Sequence, residues 1–215
     1  MGAGRSGYSE DALVEQPAVA LFDELGWETA DCFHEFEQAG GSPLGRETAA
    51  EVVLVRRLRA ALEKLNPTLP AEAIIQAIEE ITRDRSRMSL AAANQEVYRL
   101  LKDGVKVKAL TLALSQRERG EENVERVRVI DWSEPTENDF FLASQFWVTG
   151  EMYTRRADLV GFVNGLPLVF VELKAAHKSI ESAFQQNLRD YKTTTPHLFW
   201  YNGIIILSNG SQSRI

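Results

Sequence analysis

The chain has 215 residues, 44% hydrophobic and 26% charged, enough for one large domain with a buried core or one domain with an appendage. A net charge of -7 argues against whole-surface attraction to nucleic acid or anionic lipid, so any polyanion has to be gripped locally. Cys32 is the only cysteine and there are 3 histidines, which excludes an internal disulfide and a Cys/His zinc cluster and fits a reducing, cytoplasmic compartment.

No stretch approaches the roughly 18 consecutive apolar residues of a spanning helix, so no membrane role is expected. Residues 1–8 are small and polar and read as a loose tail. Ser9 can cap a helix running to Gly26, with Leu13, Val14, Pro17, Leu21 and Leu25 on one face. Gly40 to Arg46 has the glycines of a phosphate loop, but Arg46 and Glu47 stand where Lys and Ser or Thr are required. A helical block follows over about 47–103. Val52, Val53, Leu58, Ala61 and Leu62 recur at helical spacing, Asn66-Pro67 and Pro70 interrupt, and further helices are predicted over 71–82 and 90–101.

After the helical block the pattern changes to period two with β-branched residues. Strands are predicted around Val127, Val129 and Ile130, then over 140–149, 159–163, 168–173 and 204–207, with a helix over 180–192. Asn164-Gly165 is a strong hairpin signal, because both central residues of a type I′ turn need positive φ. Counting outward from that turn sets Glu172 opposite Ala157 and Leu173 beside Asp158; a slip of one residue shifts these neighbours. Glu172 and Lys174, two apart on a strand, project from one face while Leu173 points away.

Two carboxylates and an ammonium converging at a strand end suit a hard divalent cation. Mg²⁺ takes oxygen ligands and keeps several waters, so Asp158, Glu172 and the Leu173 carbonyl make a plausible open site. Such an ion lowers the pKa of bound water and offsets charge building on a phosphate, and Lys174 can orient the water and stabilise the same charge. The chemistry implied is metal-dependent phosphodiester hydrolysis. A solvated Glu172/Lys174 ion pair at a strand end is the plain alternative.

Residues 155–210, RRADLVGFVNGLPLVFVELKAAHKSIESAFQQNLRDYKTTTPHLFWYNGIIILSNG, resemble the endonuclease domain of the type I restriction enzyme R subunit. SEDALVEQPAVALFDELGW, NPTLPAEAIIQAIEEI and NDFFLASQFWV are similar to its upstream parts. The resemblance implies a PD-(D/E)xK restriction-endonuclease-like core, an α/β fold with a mixed β-sheet flanked by helices and a helical insertion. In it Asp158, Glu172 and Lys174 match the motif, and 9–215 is the endonuclease domain. It implies Mg²⁺, with Mn²⁺ as a substitute, and double-stranded DNA as substrate. It also implies methyltransferase and specificity subunits as partners, and an ATP-dependent motor beyond residue 215 with no ATP site in this chain. A catalytically silent DNA-holding or docking module and a repair nuclease are the rival expectations.

Two positions depart from the family pattern. Ala157 replaces the motif proline, and in the family's Gln-x-x-x-Tyr element Tyr191 is present while Asn187 occupies the Gln position, with Gln186 one residue earlier. With Arg189 and Lys192 these residues are the expected DNA-contacting or supporting group. Related nucleases bring a further acid from the first helix. On the face set by Leu13, Val14, Pro17 and Leu21 that acid is Glu10, with Glu15 at the margin. Residues 151–215 carry a small basic excess, which suits local phosphate contacts without sequence readout.

Overall fold

The computed structural model describes residues 14–37, 42–108, 124–175, 180–182 and 187–215. Its centre is a six-stranded mixed sheet in the order β1-β4-β5-β6-β7-β8. The strands are β1 (Glu28–Asp31), β4 (Phe140–Thr149), β5 (Thr154–Val163), β6 (Leu166–Leu173), β7 (Ile204–Ser208) and β8 (Ser213–Arg214). β4, β5 and β6 form an antiparallel meander, and parallel strands β1 and β7 are added to its two sides. A separate antiparallel pair, β2 (Val105–Lys108) and β3 (Val124–Val127), lies outside that sheet. The expectation of a mixed sheet flanked by helices holds.

Both faces of the meander are covered. On one, Phe141, Phe146, Ala157, Val160, Phe162 and Phe170 join a large core with α2 (Val55–Leu65), α3 (Ala71–Thr82) and α4 (Leu90–Asp103). Each fully buried Phe or Leu in it contributes about 1.5–3 kcal/mol. On the other, Leu142, Leu159, Val171 and Leu173 pack with Val14 and with Ala18, Val19 and Phe22 of α1 (Gln16–Glu24).

The β5–β6 turn forms at Asn164-Gly165, with φ of 52° and 77°. Only glycine fits the second position, because an added Cβ would meet the Leu54 carbonyl at 2.5 Å and the Leu58 amide at 2.6 Å. The register differs from simple counting. Val163 pairs with Leu166 and Phe162 with Pro167 as expected, but the next partners are Gly161 with Val169 and Leu159 with Val171. Pro167 has no N–H to give the ladder, and a bulge there inserts one residue. Extended past its last pair, the ladder points Glu172 toward Asp158 instead of Ala157.

Other expectations need correction. The face of α1 that packs is Val14, Ala18, Val19 and Phe22, whereas Leu21 and Leu25 are 54% and 67% exposed. The predicted strand at 127–130 is β3, ending at Val127, and the predicted helix over 180–192 is described as Ile180–Ser182 and α5 (Arg189–Thr194). The first helix of the block begins at Val55, after Leu54 has donated its amide to the Gly165 carbonyl. Residues 1–8 lie outside the described residues, and no described helix is long and apolar enough to cross a membrane.

Candidate active site at the end of the β5–β6 hairpin

Beyond the last β5–β6 pair the two strands separate, and Asp158, Glu172 and Lys174 gather there. Asp158 Oδ2 accepts the Leu173 amide at 2.7 Å, which ties the end of β5 to β6 through a side chain where the ladder has stopped. Lys174 donates its own amide to the Ser208 carbonyl at 2.8 Å, so β7 fixes the backbone that carries the motif. Its Nζ lies 2.7 Å from Glu172 Oε1. This is the same-face geometry expected of residues two apart on a strand.

Glu172 is buried, with 2% exposure. Asn187 Nδ2 donates to the same Oε1 at 2.5 Å, so one carboxylate oxygen takes both donors. The other, Oε2, is buried and has no hydrogen-bond partner among the described residues. A carboxylate oxygen stripped of water and left without a donor costs a few kcal/mol unless a cation or ordered solvent meets it. Burial first, then the Glu172 charge, push the Asp158 carboxyl up to about 7; the Leu173 amide and Lys174 oppose the rise, and Glu15 adds to it. Two acids that disfavour each other's charge in a dry setting suit a divalent cation, which removes the repulsion. Among the described residues no three Asp, Glu, His or Cys side chains are placed to enclose an ion by themselves. Two carboxylates, a carbonyl and water are therefore the donor set that fits, in keeping with the open coordination of Mg²⁺.

Of the supporting residues, Asn187 reaches Glu172 while Gln186 lies outside the described residues. Tyr191 is buried, donates its hydroxyl to the Arg156 carbonyl at 2.5 Å and packs edge-on to Phe170 at 5.2 Å. It thereby clamps α5 onto β5. Tyr191→Phe is expected to lower the melting temperature by roughly 2–4 °C, the worth of one hydrogen bond in a chain of this size, and to leave Mn²⁺ affinity unchanged in a titration. Arg189 is exposed, and the Lys192 ammonium sits 5.8 Å from the Phe199 ring centroid. Of the other basic residues, Arg155 pairs with Asp190 at 2.7 Å, and Arg156 lies over the Phe33 and Trp147 rings at 4.7 Å and 5.4 Å.

Glu10 lies outside the described residues. Of the two acids weighed in the first helical segment the described one is Glu15, buried, with its Oε2 2.6 Å from Gln145 Nε2. Counting from Leu13 and Leu21 misplaced the helix face. Val14, Ala18 and Phe22 with Glu15 and Val19 form an alternative stripe at the same spacing, and its run of i, i+4 pairs was the available signal. Gln145 carried no signal at all.

The family of type I restriction enzyme R protein N termini matches this sequence over residues 7–215. The type I restriction enzyme HindI endonuclease subunit of Haemophilus influenzae is 34% identical over 210 residues, covering 94% of this chain and 18% of that protein. A protein of Methanocaldococcus jannaschii, named provisionally as the type I restriction enzyme MjaIXP endonuclease subunit, is 28% identical over 218 residues, 96% of this chain and 19% of its own length. The type I restriction enzyme SauCOLORF180P endonuclease subunit of Staphylococcus aureus is 40% identical over 77 residues, 36% of this chain and 8% of its own length. The chain thus spans less than a fifth of the length of these curated relatives. From the match over nearly its whole length, the chain belongs to the family of type I restriction enzyme R subunit N-terminal domains.

Proposed function

We propose that this chain is the DNA-cutting part of a type I restriction enzyme R subunit and that it hydrolyses phosphodiester bonds with Mg²⁺ held by Asp158, Glu172 and the Leu173 carbonyl. The observation that carries the reading is Glu172: one oxygen is held by Lys174 and Asn187, while the other is buried and without a partner among the described residues, beside a second carboxylate. A structural ion pair at a strand end needs neither the burial nor the second acid.

When bound, the cation supplies a polarised water and a counter-charge to the scissile phosphate. The remaining work falls to the chain. Lys174, whose side chain is 17% exposed, is close enough to solvent to turn from Glu172 toward an attacking water and hold it in line with phosphorus. It also stabilises negative charge on the phosphate oxygens. Asn187 keeps Glu172 oriented while Lys174 moves, and the Leu173 amide fixes the Asp158 carboxylate at the mouth of the hairpin. Arg156, two residues before Asp158, is exposed and positioned for a DNA phosphate.

In this reading ATP is consumed by a motor in another part of the subunit, target choice belongs to a specificity subunit, and a methyltransferase completes the cytoplasmic assembly. Mn²⁺ replaces Mg²⁺. The test is cleavage of a supercoiled plasmid by the complete subunit with its partners. Glu172→Gln is expected to stop cutting while ATP hydrolysis continues, and EDTA should stop wild-type cutting. Cutting by Glu172→Gln at the wild-type rate contradicts the proposal.

A further inference from the structure

Among the described residues, Gln145 and Asn164 are the non-glycine positions with positive φ. Asn164 is explained by its turn. Gln145, at 55°, sits in the middle of β4, where left-handed backbone interrupts an extended strand and is disfavoured for a side chain of this kind. Such a feature persists when something around it requires it.

The kink changes which face each residue occupies. Phe141 and Ala143 face the large core, and plain alternation would send residue 145 there as well. Instead Phe146 and Val148 take the core positions, and the Gln145 side chain goes to the α1 side, where it meets Glu15. β5 changes phase at the matching place: Ala157 faces the large core before the kink, and Val160 and Phe162 after it. Ser144 pairs with Leu159 and Phe146 with Ala157, but Gln145 and Asp158 between them are unpaired. One left-handed residue on β4 therefore coincides with the release of Asp158 from the ladder and with the capture of a buried acid from the helical segment before α1.

We infer that Gln145 is a positioning residue, whose left-handed backbone aims its amide at Glu15 and brings that carboxylate to the side of the site occupied by Asp158. This rests on the reading of Asp158 and Glu172 as a cation site. The placement follows from the register: Gln145 and Asp158 stand opposite each other between the Ser144–Leu159 and Phe146–Ala157 pairs, and Val14, next to Glu15, shares a buried cluster with Leu159, next to Asp158. Gln145 itself touches neither DNA nor the reacting atoms. It acts by holding Glu15 beside the site.

The experiment is a calorimetric titration of the chain with Mn²⁺ alone, with melting temperature measured on the same samples. Gln145→Gly tolerates the left-handed backbone and removes the side chain with its amide. It is expected to fold with a melting temperature close to wild type and to bind Mn²⁺ about 10-fold more weakly, the usual cost of losing a group that orients a ligand. Glu15→Gln should show a similar loss, and the double variant no more than either single one. Gln145→Val, which favours extended backbone, should lose both stability and affinity. Wild-type affinity in Gln145→Gly, alongside lost binding in Asp158→Asn, overturns the positioning role and leaves the cation site standing. A wild-type chain that takes up no Mn²⁺ sinks both.

Discussion

Lys174→Ala is expected to cut plasmid at least ~100-fold more slowly in the complete enzyme, the size of effect seen when one donor to a developing oxyanion is removed. The same substitution should also destabilise the chain, for a separate reason. Glu172 is buried and Lys174 Nζ is its ionic partner at 2.7 Å, so truncation leaves a carboxylate with only the Asn187 amide and no counter-charge. Breaking a buried pair by removing one member costs about 3–5 kcal/mol. In a domain of this length that lowers the melting temperature by roughly 10 °C. The two losses can be separated. Adding Glu172→Gln removes the orphaned charge and should return most of the melting temperature, while cleavage stays lost. Wild-type cutting by Lys174→Ala, or recovery of cutting together with stability in the double variant, speaks against a chemical role for the ammonium.

Asp158→Asn is expected to raise stability at pH 8 in EDTA. The Asp158 carboxyl is pushed from 3.8 up to about 7 in the folded chain, by burial and by the Glu172 charge. Between these values the folded state holds a proton that the unfolded state has released, so stability falls as pH rises through this range and levels off above it. Removing the ionisable group removes that loss. The gain at pH 8 is on the order of 3 kcal/mol and should vanish near pH 4, where the wild-type carboxyl is protonated when unfolded as well. Asn retains an oxygen to accept the Leu173 amide, so the fold of the hairpin end is kept. Mg²⁺ should then stabilise wild type and leave Asp158→Asn unmoved, reversing their order as the ion is added. Thermal melts over pH 4–8, with and without Mg²⁺, measure both effects. A variant less stable than wild type at pH 8 in EDTA contradicts the repulsion on which the site is built.

Much of the hairpin is legible in sequence because its determinants are local. Asn164-Gly165 specifies the turn through backbone angles alone, and the apolar run of β6 stops at Glu172. The pairing beyond Gly161 is less so: Pro167 announces a possible bulge, but whether the inserted residue displaces the register depends on the strand opposite. β1 and β2 escaped notice for another reason. At four residues each they have little room for alternation to show, and β1 is completed by parallel pairing with β4, more than 100 residues away. The packing face of the first helix fails similarly, since Val14 and Phe22 are apolar in company with Leu21 and Leu25, and only packing on Leu142 and Leu159 decides which set turns inward. Nothing in a single glutamine within a strand advertises positive φ.

Asn187 stands where the family pattern has Gln, and its amide reaches Glu172 Oε1, with α5 held against β5 by the Tyr191 hydroxyl. Whether Asp158 and Glu172 share one cation is read directly from anomalous scattering by a crystal of the chain soaked in Mn²⁺. A single strong peak is expected within about 2.0–2.4 Å of carboxylate oxygens from both Asp158 and Glu172, Glu172 Oε2 among them. A soaked crystal with Mn²⁺ bound elsewhere and none between these two side chains contradicts it.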